Sequence, residues 1–139
     1  MKRLLRMIAR WFRLTKPTAS LSPVAERVVA GAVAVLHALG AGMPEIIYEN
    51  ALAHELRKAG LSVTQQKSVA VFYDGVVVGD YAVDLVVENT ILVELETAGR
   101  PPWQTAARRQ YLCATGFTQC VLLDFGKSDL AVRTVLIPT

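Results

Sequence analysis

The 139-residue chain is 53% hydrophobic and 19% charged, which excludes a disordered chain and suits one domain around one core. Its net charge of +3 sits at one end: six of the 15 basic residues (Lys2, Arg3, Arg6, Arg10, Arg13 and Lys16) precede the first acidic residue, Glu26. The remainder carries nine basic against twelve acidic residues, so the overall pI does not describe a basic surface over the whole domain.

Residues 1–14 form an amphipathic helix pattern. Met1, Leu4, Leu5, Met7, Ile8, Trp11 and Phe12 fall on one side and the five basic residues of this stretch on the other. A helix docked on its own domain or on a protein partner, a membrane-surface helix and an organelle presequence all give this pattern. The stretch lacks the apolar core of a secretory signal, and no apolar run reaches the roughly 18 residues of a membrane span. An intracellular, cytoplasmic location is expected, with membrane-peripheral or organelle-targeted placement as the alternative. Thr15 to Pro23 reads as a linker, dividing a basic segment (1–22) from one domain (23–139).

Ser22-Pro23 is a helix start, a capping hydroxyl followed by proline at the first helical position, and predicts a helix to Leu39 before Gly40. A second helix is predicted from Pro44 to Ala59, ended by Gly60. The period then becomes strand-like. Leu61–Tyr73 and Val76–Val87 flank the hairpin signal Asp74-Gly75, and Ile91–Glu96 follows the turn Glu88-Asn89-Thr90. Pro101-Pro102 precedes a helix from Trp103 to Thr115, and Gln119–Asp124 is an apolar, buried strand. Leu130–Ile137 is a last edge strand. This order is an α/β arrangement with a mixed sheet. Cys113 and Cys120 lie among apolar residues without CxxC spacing and read as free thiols, not a zinc site.

The informative stretch runs from Tyr81 to Glu96. Strand alternation places Glu94 and Glu96 on one face, with Val93 and Leu95 on the other. A three-residue loop at Glu88-Asn89-Thr90 pairs Val87 with Ile91 and brings Asp84 opposite Glu94, whereas a two-residue loop sends the carboxylates to opposite faces. Clustered carboxylates repel unless a divalent cation joins them, and an all-oxygen set suits Mg²⁺ or Mn²⁺. An exposed acidic strand face that serves solubility is the competing reading.

An ordered series of motifs resembles the GxxExxY family of PD-(D/E)xK nucleases. It comprises Gly42-Met-Pro-Glu45-Ile-Ile-Tyr48, Glu49-Asn-Ala-Leu52, Gly60-Leu61, Gln66, Val71-Phe-Tyr73-Asp-Gly75, Tyr81-Ala-Val-Asp84-Leu, Val93-Glu94-Leu95, Tyr111-Leu112 and Asp124-Phe125-Gly126. The resemblance implies a PD-(D/E)xK nuclease-like αβββαβ core, preceded here by the N-terminal amphipathic helix, and Mg²⁺- or Mn²⁺-dependent cleavage of a phosphodiester, with DNA the usual substrate. It marks Asp84 and Glu94 as the metal pair, the Leu95 carbonyl as a third ligand and Glu45 as the acidic helix residue.

The departures bear on activity. The family closes its strand motif with lysine, and this chain has Glu96, which can act as a base or ligand but supplies no positive charge. Ala82 and Ala107 replace a polar arginine and glutamine, and Leu36 occupies a histidine place beside His37. Lys67, the nearby core lysine, could reach the site from a neighbouring strand as a migrated replacement and nucleic-acid contact, with a solvated edge residue as the plain alternative. Arg100, Arg108 and Arg109 are the candidate phosphate contacts, with a solvated helix face as the plain alternative for the last two. Trp103 and Tyr111 read as core packing. Two functions follow: a metal-dependent nuclease using Glu45, Asp84, Glu94 and Glu96, or a catalytically inactive nuclease-fold module that binds nucleic acid or a protein partner. A membrane-associated accessory role through residues 1–14 is a third.

Overall fold

A computed structural model describes residues 21–97, 114–117, 119–126 and 129–136, the last four by backbone alone. The expected helices at 1–14 and 103–115 lie outside the described residues, as do Arg100, Arg108 and Arg109, apart from Ala114 and Thr115 at the end of the second helix.

Helix α1 spans Pro23–Leu39. The Ser22 hydroxyl accepts from the Ala25 amide (3.2 Å) and donates to Gln119 Oε1 (2.8 Å), so one side chain caps the helix and ties it to the sheet. Helix α2 spans Glu45–Lys58. Gly31 lies where the two helices meet, and a β-carbon there would come within 3.2 Å of the Leu52 and Leu56 methyls.

Five strands follow: β1 (Val63–Tyr73), β2 (Val76–Val87), β3 (Ile91–Glu96), β4 (Gln119–Asp124) and β5 (Ala131–Leu136). They lie in the order β1-β2-β3-β4-β5, with β3 and β4 parallel and the other neighbours antiparallel. The sheet is therefore mixed, as expected from the sequence. β1 starts at Val63, two residues later than predicted. Leu61 is still bound to the end of α2, its amide donating to the Leu56 carbonyl (3.0 Å).

The main core lies between the helices and one sheet face, where Val28, Ala32, Leu52 and Leu56 meet Leu85, Val87, Val93, Leu95, Val121 and Leu123. A second apolar cluster of Val69, Val83, Val86, Leu92, Cys120 and Leu122 covers the other face. Cys120 is a buried free thiol, as expected. Among the described residues no helix is long and apolar enough to cross a membrane.

Candidate active site at the β2–β3 fork

Val87 pairs with Ile91 across a three-residue turn in which Glu88 and Asn89 both take left-handed backbone angles (φ 54° and 53°). The regular β2–β3 register covers Val87–Ile91, Val86–Leu92 and Leu85–Val93. At the next position side chains take over from the backbone. The Asp84 amide donates to Glu94 Oε1 (3.2 Å), and the Leu95 amide donates to Asp84 Oδ2 (2.8 Å). The strands thus fork at Asp84 and Glu94, and each carboxylate fills the gap by binding the other strand. Both are buried, at 8% and 0% exposure.

The opposite side of β2 explains how the fork is shaped. Residues two apart in a strand share a face, yet Val83 packs in the second cluster and Leu85 in the main core. On β1, Val63 packs against the main core and Val69 in the second cluster, although six residues separate them. Both strands therefore change face between these pairs. The β1–β2 ladder pairs Gln65 with Leu85 and Lys67 with Val83, and leaves out Gln66 and Asp84 between them. Gln66 has φ 50°, a left-handed angle that costs a non-glycine residue about 1–2 kcal/mol.

That angle re-aims two consecutive side chains. In a regular strand Gln65 and Gln66 would point apart; here both reach Glu49 on α2. Gln65 Nε2 donates to Glu49 Oε2 (2.9 Å), and Gln66 Nε2 donates to Glu49 Oε1. The Gln66 amide also donates to Asp84 Oδ1 (3.2 Å). Glu49, only 3% exposed, is thereby linked through one amide to the fork.

Glu45 opens α2, partly buried and one helical turn before Glu49 on the same side. Its place is fixed by the loop before it. The Tyr48 hydroxyl donates to the Gly40 carbonyl and accepts from the Met43 amide (3.1 Å), and its ring stacks on Phe125 with centroids 4.6 Å apart. Gly42, at φ 94°, allows the loop to close on that ring. A cleft of about 300 Å³ lies between this loop and the carboxyl ends of β3 and β4, lined by Gly42, Met43, Pro44, Thr97, Phe125 and Gly126.

Glu96 ends β3, in register with Asp124 of β4. Its Oε1 atom is buried and has no hydrogen-bond partner among the described residues. Lys67 does not reach the fork; its amino group donates to Asn89 at the far turn (3.2 Å). Leu36 is buried in the core and His37 is exposed.

A model of the PD-(D/E)XK nuclease superfamily matches residues 22–135, which takes in the seven elements of the described residues apart from the last residue of β5. The chain belongs to the PD-(D/E)XK nuclease superfamily. No curated protein and no solved structure gives a significant match. Members of the superfamily generally use divalent metals, and the residues here can be tested against that requirement. Among the described residues, no three His, Cys, Asp or Glu side chains form a group able to hold an ion by themselves. Mg²⁺ asks for less: it is commonly held by one or two carboxylates, with waters and substrate phosphate completing the shell. Asp84 and Glu94 supply those two carboxylates from adjacent strands, with the Leu95 carbonyl next in the chain. The donor set therefore fits a hard divalent ion.

Glu49 and Gln66 were not singled out as functional from the sequence. The available signal was a glutamate next to Tyr48, on the buried side of a helix, where a carboxylate needs polar partners.

Proposed function

We propose that this superfamily member hydrolyses a nucleic-acid phosphodiester, with Mg²⁺ or Mn²⁺ held by Asp84, Glu94 and the Leu95 carbonyl. The observation that carries this reading is the fork itself, where two buried carboxylates converge and each is oriented by the partner strand's amide. A bound divalent ion polarises a phosphoryl oxygen and offsets the charge developing on it. Glu96, with a buried carboxyl oxygen free of hydrogen bonds among the described residues, is the general base that takes the proton of the attacking water. Glu49 joins the fork through Gln66, Glu45 one helical turn before it is the acidic helix residue of the family pattern, and Arg100, Arg108 and Arg109 are the candidate phosphate contacts. DNA is the superfamily's usual substrate. Within the superfamily we assign the chain to the GxxExxY type, supported by the closure of Tyr48 on the Gly40–Met43 loop.

The test is cleavage of plasmid DNA and of RNA by the purified full chain with Mg²⁺ or Mn²⁺. Cleavage that disappears on chelation and in Asp84→Ala supports the assignment. No cleavage of either nucleic acid with either ion removes hydrolysis.

One observation favours a second reading. Where the family has lysine the chain has Glu96, which cannot stabilise negative charge in a transition state. On this reading the protein is a nuclease-fold module that binds nucleic acid or a protein partner without cutting. Nucleic-acid binding that is unchanged in Glu94→Gln, with no cleavage, would select it.

A further inference from the structure

We propose that Gln66 is a positioning residue of the cation site: its amide ties the α2 carboxylate of Glu49 to Asp84, and this tie sets how tightly Asp84 and Glu94 hold a divalent ion. The inference rests on the cation site proposed above and adds a residue that does not itself touch the ion.

Three observations carry it. The Gln66 Nε2 group donates to two carboxylates on different elements, Glu49 Oε1 and Asp84 Oδ1. Both acceptors are buried, whereas Gln66 is an exposed strand residue that core packing does not hold in place. Its backbone takes a left-handed angle where the β1–β2 ladder skips Gln66 and Asp84, and this conformation is what lets Gln65 and Gln66 reach Glu49 together. An uncommon backbone angle retained at a polar cluster is typical of residues that hold a site in register. The consequence for the ion is direct. Asp84 accepts at Oδ2 from the Leu95 amide and at Oδ1 from Gln66, which fixes its carboxyl plane relative to both neighbouring strands. Loss of a partner that orients a ligating carboxylate commonly weakens metal binding by about 10–100-fold.

The experiment is a Mn²⁺ titration of the full chain, following the electron paramagnetic resonance signal of free Mn²⁺. Gln66→Gly is the main variant, because glycine adopts the left-handed angle freely and loses only the amide. Wild type is expected to bind, Asp84→Asn to lose binding, and Gln66→Gly to bind about tenfold or more weakly while keeping its circular dichroism spectrum. Glu49→Gln should weaken binding in the wild-type background and add nothing in Gln66→Gly, since Glu49 acts through that amide. Binding by Gln66→Gly equal to wild type, or losses that simply add, would overturn the positioning role and leave the cation site standing. Should Gln66→Gly not fold, unchanged affinity in Glu49→Gln alone overturns it. Wild-type protein that binds no Mn²⁺ overturns both proposals.

Discussion

Strand β2 begins as an exposed apolar ribbon, with Val76, Val77 and Val78 each more than half exposed, and ends in the middle of the molecule, where Val83 to Val87 are all buried. The two ends are built from the same residue types. Their environments differ because the first half pairs with β1 alone, while the second half lies between β1 and β3 and under both helices. The change falls between Ala82 and Val83, just before Asp84, where the strand switches face. Hydrophobic composition therefore says little about which part of this strand matters; of its two aspartates, Asp80 is exposed, and the buried one, Asp84, marks the part that does.

The largest break in that comparison is Leu85→Ala. Leu85 is fully buried in the main core, and its truncation is expected to cost about 2–5 kcal/mol in a urea melt. A smaller effect separates the fork from the surrounding core. If Asp84 and Glu94 hold a cation, Mg²⁺ at about 100 times its dissociation constant should stabilise the wild type by about 2.7 kcal/mol and leave Asp84→Ala unchanged. Equal stabilisation of both proteins would place the ion elsewhere. Tyr48→Phe removes the hydroxyl that serves Gly40 and Met43 and should cost about 1–3 kcal/mol, because it leaves those backbone groups short of a partner. At the exposed end, Val77→Ser is expected to shift stability by no more than about 0.5 kcal/mol. A large loss there would show that the ribbon is covered in the protein's working state.

Much of the framework was legible before any coordinates. The boundaries of β2, β3 and β4 coincide with the predicted ones, since Asp74-Gly75 and Glu88-Asn89-Thr90 are strong turn signals. The three-residue turn was also the condition for bringing Asp84 to Glu94, and the register meets it. The strand fork was not legible: side-chain-to-backbone bonds at Asp84 and Glu94 replace a ladder that alternation alone would continue. Nor was the face switch, because Gln66 takes a left-handed angle without being glycine or asparagine, the residues that announce such angles. For the same reason the sequence assigns a role to Glu45, whose spacing to Tyr48 is a motif, and none to Glu49, whose bonds depend on two glutamines brought together by that backbone angle. Lys67, considered as a replacement for the missing lysine, is drawn instead to Asn89.

The most direct measurement is Mn²⁺ binding by the full chain, set beside the same titration of Asp84→Asn. Binding by the wild type that disappears with this one carboxylate is the expected result. A wild type that leaves Mn²⁺ free in solution, or an Asp84→Asn protein that binds it equally well, would contradict a cation site at the fork.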